Sequence, residues 1–352
     1  MKYNPLKIGD LTAKIPLVQG GMGVGISLSG LAGAVAAEGG VGIISTAQIG
    51  FREPEWLKNP IETNLKALVK ELKKARDIAP KGILGFNIMV ATKRYEDYVK
   101  EAARAGTDII ISGAGLPVDL PKYVEGFKTK IAPIVSSVKA AALICKLWLR
   151  RYNRVPDMVV IEGPKAGGHL GFSPEEAADL TSAEYDQEVA KIIKAVKSHA
   201  QENKCEIPVV VAGGIYSAED VRHVLEDLKA DGVQISTRLV TTEECDALLS
   251  YKEAYVQANK EDIVITKSPV GMPGRAIANK FLAKQGQGKV KIEKCYQCLE
   301  KCDPTKIPYC ITQALVNAAK GDLDNALLFC GSEAWQTDRI NTVHEVVEDL
   351  FG

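Results

Sequence analysis

The stretch Glu162-Gly-Pro-Lys-Ala-Gly-Gly-His169-Leu-Gly-Phe172 places a carboxylate, a glycine pair and a histidine directly behind an apolar run, Asp157-Met-Val-Val-Ile161. His169 carries the one side chain whose ordinary pKa lies near neutrality, which suits it to moving a proton or holding an anion. Gly167 and Gly168 allow close backbone approach and angles that a Cβ resists. Glu162 either tunes the histidine or bonds nearby amides as a structural carboxylate. The competing interpretation is a surface loop with an incidental histidine. The other histidines, His199, His223 and His344, sit in charged helical stretches and read as solvated.

A second group of reactive residues lies near the C-terminus. Cys295, Cys298, Cys302 and Cys310 fall within sixteen residues, with the spacing C-x2-C-x3-C-x7-C. Four thiols so close suggest a soft-metal site, yet the spacing matches neither the bacterial ferredoxin run nor a zinc ribbon. An iron-sulfur cluster, a structural zinc and free thiols all stay open. Cys330 is a spare candidate ligand, while Cys145, Cys205 and Cys245 read as packed or isolated thiols.

Eight short apolar runs are available to position these groups: Ile15–Gln19, Val41–Thr46, Ile83–Met89, Asp108–Ser112, Ile131–Ser136, Asp157–Glu162, Ile207–Ala212 and Asp231–Ser236. Segments of helical spacing, such as Ser29–Glu38, Thr63–Ile78, Tyr95–Ala105, Tyr185–Gln201 and Ser217–Leu228, separate most of them. Strand-helix alternation produces parallel sheets, and strands this apolar are covered on both faces. Eight units in succession favour a closed (β/α)8 barrel, a TIM barrel of α/β class, over an open doubly wound sheet. The strand ends run into small or polar residues, and the long intervals Ala47–Gly82 and Lys165–Glu206 follow strand ends, where barrels carry binding loops. Gly213 and Gly214 after the seventh strand, with Gln234, Ser236 and Thr237 at the eighth, would form a phosphate site.

Lys plus Arg and Asp plus Glu are both 44 in 352 residues, for a formal net charge of +0. That removes the global basic field of a nucleic-acid or anionic-membrane binder and favours a small-molecule substrate. No apolar run reaches ~18 residues and no signal segment opens the chain, so the expectation is a soluble cytoplasmic protein. The layout expected is a barrel over 1–285 and a helical, cysteine-containing extension over 286–352. A homo-oligomer and an electron-transfer partner are both compatible with this layout.

The motifs Pro16-Leu-Val-Gln-Gly-Gly-Met-Gly23, Gly85-Phe-Asn87, Ser112-Gly-Ala-Gly-Leu-Pro117, Glu162 through Gly171, Val211-Ala-Gly-Gly-Ile215, Gly232-Val-Gln-Ile-Ser-Thr-Arg238 and Ser268-Pro-Val-Gly-Met-Pro-Gly-Arg275 stand in this order. Over roughly residues 5 to 285 the chain thereby resembles the nitronate monooxygenase (2-nitropropane dioxygenase) family, which includes FMN-dependent enoyl-ACP reductases of the FabK type. The resemblance implies a TIM barrel holding FMN. Gln19, Gly20, Gly21, Met22 and Gly23 would run along the flavin ring, Asn87 would bond it, and Glu162, Gly167 and Gly168 would line its site. Gly213, Gly214, Gln234, Ser236 and Thr237 would surround the phosphate end, although family members more often carry glycine where Ser236 stands. His169 would stand beside the flavin as the catalytic group. The implied activity is oxidation of alkyl nitronates with oxygen. Alternatives are an NADH-dependent enoyl-ACP reductase and a non-catalytic flavin and iron-sulfur protein that carries electrons or senses redox state.

Overall fold

The computed structural model describes residues 2–179, 181–269, 271–285 and 288–352, so Val270 of the last motif lies outside the described residues. Eight parallel strands close into a barrel: β1 (Leu17–Gln19), β2 (Val41–Ser45), β3 (Ile83–Met89), β4 (Ile109–Gly113), β5 (Lys130–Val135), β6 (Val159–Glu162), β7 (Val209–Ala212) and β8 (Gly232–Ile235). Closure is made where β8 pairs β1, with Val233 opposite Leu17. Each expected run overlaps its strand; six contain it whole, while Ile109–Gly113 and Lys130–Val135 each extend one residue past the expected bound.

Alternation along the strands divides their side chains between two packed regions. Val18, Val41, Ile43, Ile109, Ile111, Val160 and Val210 fill the barrel interior together with Leu6 and Ile8. Those last two belong to an N-terminal hairpin, Leu6–Ile8 with Leu11–Ala13, which plugs the lower end. The alternate residues, among them Leu17, Ile44, Phe86, Ile110, Ile161 and Val233, face the surrounding helices. Burial on both faces explains why these strands read as unbroken apolar runs.

The helices follow local chemistry. Pro60 stands in the first turn of Pro60–Ile78, where its missing N–H has no helical partner to lose. Thr181 and Glu184 form a capping box that starts Ser182–Glu202, three residues ahead of the expected Tyr185. The expected helix over Ser217–Leu228 is α-helical for Ala218–Arg222 and then widens to a π turn over His223–Asp227. Apolar periodicity does not distinguish those two windings.

Beyond the barrel, β9 (Ile263–Lys267) and β10 (Pro273–Ile277) form an antiparallel hairpin that pairs with a two-residue strand, Gly168–His169. Residues after 285 contribute the helices Ile311–Ala319 and Val343–Phe351. The second buries Val343, Val346, Val347, Leu350 and Phe351 in the core shared with the barrel helices. No described helix is long and apolar enough to cross a membrane.

Candidate active site

The C-terminal strand ends open into a cavity of about 500 Å³, within the range of small-molecule and cofactor sites. Strand register sets its rim. Ser45 pairs with Asn87 across β2 and β3, while Glu162, Ala212 and Gln234 stand side by side on β6, β7 and β8. Gly20, Gly21, Met22, Gly23, Asn87, Glu162, Gly167, Gly168, His169, Gly213, Gly214, Gln234, Ser236 and Thr237 all line this cavity.

Gln19 is the exception and corrects the expectation from sequence. It is buried and does not line the cavity; its side-chain amide donates to the Ile43 carbonyl at 2.7 Å and its Oε1 accepts from the Ile43 N–H at 3.2 Å. Strands β1 and β2 share a single paired position, Val18 with Val41, so Gln19 completes a seam that the backbone leaves open.

The glycines also prove more specific than flexible turn residues. A Cβ on Gly20 would sit 1.9 Å from Ser236 Oγ, and one on Gly21 would sit 2.2 Å from Asn87 Cβ. These two are bare because protein neighbours occupy the space, and a bare Gly20 is what admits serine at 236. Gly213 and Gly214 adopt φ of +101° and +80°, a region that L side chains resist.

His169 is held from three sides. Its backbone pairs with Gly274 of β10, its Nε2 lies 2.7 Å from Ser268 Oγ, and its ring meets Phe329 edge-on at 5.0 Å. Burial lowers its pKa to about 4, so the imidazole is neutral at physiological pH. Glu162, with no hydrogen-bond or ion-pair partner among the described residues, is pushed by burial up to about 7.

Arg275 fixes the loop between them. Only 6% exposed, it donates to the carbonyls of Pro164 at 2.6 Å, Ala166 at 2.7 Å and Ala177 at 2.9 Å. No carboxylate pairs with it among the described residues. Guanidinium geometry suits such a fork of acceptors, and its position within a Ser-Pro-Val-Gly motif gave no hint of this role.

Sequence reasoning also missed the part taken by the C-terminal segment. The Gly331 N–H donates to Thr237 Oγ1 at 2.9 Å, leaving the threonine hydroxyl proton free to donate onward, and Ser332 N–H bonds the Lys165 carbonyl at 3.1 Å. Lys165 and Glu333, 4.0 Å apart, add a charge pair at the same end. Cys298, Leu299, Ile311, Thr312, Leu315, Phe329 and Cys330 line the cavity as well.

The cysteine quartet is gathered but not shaped as a ligand set. All four thiols sense one another electrostatically, and Cys310 Sγ receives the amides of Thr312 and Gln313. Yet no group of three or more His, Cys, Asp or Glu among the described residues is arranged to hold a metal ion. Cys298 is pushed by burial up to about 11 and Cys330 to about 12, so both are protonated thiols. The remaining histidines are not simply solvated: His223 lies between Asp186 and Asp227, His344 pairs with Glu38, and His199 buries its Nε2.

Fold and site together define a ligand-binding TIM barrel with a neutral histidine and an unpaired carboxyl facing one cavity. The family model of nitronate monooxygenases matches residues 4–352, and the chain belongs to that family, whose members are FMN-dependent oxidoreductases. A probable nitronate monooxygenase of Staphylococcus saprophyticus is 26% identical over 315 residues, covering 82% of either protein. Among solved structures, FabK from Thermotoga maritima superposes with a TM-score of 0.71 at 25% identity, over 96% of this chain and 91% of that one. A nitroalkane oxidase from Streptomyces ansochromogenes shares the fold with the same TM-score at 20% identity, over 96% and 94%.

Proposed function

We propose that this protein binds FMN in the cavity and oxidises alkyl nitronates with molecular oxygen. The observation that carries this reading is His169, neutral through burial and fixed at the cavity wall by Ser268 and Phe329. A neutral imidazole accepts the proton on a carbon next to a nitro group, or donates a hydrogen bond to the oxygens of a substrate that arrives as the anion. The residues present fit the cofactor. Gly213 and Gly214 hold the β7 turn at positive φ on the cavity rim, where their backbone amides are available to a phosphate together with the hydroxyls of Ser236 and Thr237 and the Lys165 side chain. Asn87 and Glu162 keep side-chain polar groups without partners among the described residues, available to the polar edge of a flavin. FMN, when bound, supplies the electron-accepting ring.

The test is anaerobic mixing of the purified holoprotein with a nitronate or with NADH while the visible flavin band is followed. Bleaching by the nitronate, with oxygen uptake on re-aeration, supports the proposal; rapid bleaching by NADH alone overturns it. The second outcome would favour an enoyl-thioester reductase, a reading supported by the likeness to Thermotoga maritima FabK at 25% identity over nearly the whole chain.

A further inference from the structure

The cavity wall is chemically lopsided. Every Asp, Glu, Lys, Arg or His that lines it, namely Glu162, Lys165, His169 and Glu333, belongs to the end of β6, to the loop after it or to the turn at 330–333. The opposite wall is formed by Met89 at the end of β3, Leu116 from the loop after β4 and Cys298, Leu299, Ile311 and Leu315 from the C-terminal segment. It carries no charge.

That wall is built to keep its shape. Lys93 N–H donates to the Cys298 carbonyl at 3.1 Å and Glu300 N–H to the Ala91 carbonyl at 3.0 Å, which makes a short antiparallel bridge with Thr92 opposite Leu299. Facing residues of such a bridge project to one side, and both of these reach the cavity. Ile311 and Leu315 follow at one-turn spacing on the helix Ile311–Ala319. Behind them Tyr296 stacks on Trp56 at 4.9 Å and 17°, tying the segment to the long loop after β2.

We propose that residues 298–315 determine specificity, and that the substrate group they accept is an uncharged aliphatic chain whose reacting head points to His169. The inference rests on the reading of the cavity as a redox active site. A charged group against this wall would lose hydration and meet no opposite charge, whereas each buried methylene gains.

Two measurements test it. The first is kcat/KM for straight-chain nitronates from two to six carbons. The wild type is expected to gain about fourfold per methylene, and Leu299→Asp to flatten that dependence. Leu299→Ala, which imposes no buried charge, should reduce the slope without removing it. The second is calorimetric titration of the holoprotein with 1-alkanols of two to eight carbons, which needs no turnover. If no nitronate is oxidised but alkanol affinity climbs with length and Leu299→Asp abolishes the climb, the functional proposal fails and the wall assignment stands. A flat alkanol series, or an unchanged slope in Leu299→Asp, overturns the assignment.

Discussion

The two sides of the cavity are made in opposite ways. On the side of β6, β7 and β8, polarity comes from the strand ends themselves: Glu162 and Gln234 flank Ala212, and Gly213 and Gly214 turn away at positive φ. A buried, unpaired guanidinium holds the loop above them by three carbonyls. On the side of β3 and β4, the barrel offers mainly apolar residues, and a segment some two hundred positions later completes the wall through one backbone bridge. The first side concentrates the titratable side chains His169 and Glu162, both shifted by burial. The second offers apolar contacts and no charged side chain. On the proposed reading chemistry belongs to the first side and selectivity to the second, and substitutions on either side test that division.

Replacing His169 with alanine should have the largest effect. Loss of a positioned proton-handling group typically lowers kcat by ~10²–10⁴, while flavin content measured by visible absorbance should hold. If turnover stays within tenfold of the wild type, the chemistry does not belong to the charged side.

Next comes Arg275→Met, which keeps most of the side-chain volume and removes the fork of donors. Three buried carbonyls lose their partner, so destabilisation by about 3 kcal/mol is expected in chemical denaturation. Because Gly168 pairs with Arg275 and His169 with Gly274, kcat should also fall while KM for the nitronate changes little. A variant with lowered stability and full kcat would show that the loop holds its geometry without the guanidinium.

Gly213→Ala should act on the cofactor instead. At φ of +101°, with Ala166 N 3.0 Å from the added Cβ, alanine forces the β7 turn to shift. Strain of ~1–3 kcal/mol corresponds to a ~5- to 150-fold loss of FMN affinity in a fluorescence titration of apoprotein. Leu116→Met on the opposite wall should leave that affinity within about twofold, a volume-conserving change away from the phosphate end.

How much of this was legible in the sequence follows the same division. The eight barrel strands were, because burial on both faces leaves runs such as Val159-Val-Ile161 without polar interruption. The loop holding His169 was, because glycine and histidine behind a strand are locally distinctive. The identity of Gln19 was visible but its direction was not: whether a strand residue faces ligand or neighbour depends on the β1–β2 seam, which no local pattern encodes. The hairpin β9–β10 escaped notice since its first strand is only half-buried and shows no clean alternation. The tail's part in the cavity was illegible for a topological reason. Thr92 meets Leu299, and Gly331 meets Thr237, only after the barrel has closed. The cysteines illustrate the converse, a conspicuous spacing of which only Cys298 reaches the cavity and in which no metal-binding arrangement is found among the described residues.

The smallest effect expected is on the pH profile, and it follows from two shifts of opposite sign on the charged side. His169 falls from its ordinary 6.5 to about 4, so it stays neutral throughout the physiological range and activity should decline only as pH drops through about 4. Glu162 rises from 4.5 to about 7, so it is protonated below neutrality and ionises above, placing a negative charge beside an anionic substrate. An alkaline decline of a few-fold through pH 7 is expected. Glu162→Gln keeps a neutral donor that does not ionise, and should remove that limb while leaving the acid limb in place. Linkage supplies a second readout on the apoprotein. The folded state binds fewer protons at His169 than the unfolded chain between 4 and 6.5, so this contribution is complete above 6.5 and lost toward 4. At Glu162 it binds more protons, so that contribution is present below 4.5 and lost as pH rises to about 7. Glu162→Gln should therefore gain stability relative to wild type at pH 8 and not at pH 4.5. The apolar wall offers no such titration, since the one thiol there with a large shift, Cys298, is pushed up to about 11. An alkaline limb that persists in Glu162→Gln would move the pH dependence away from the charged side and break the division drawn between the two walls.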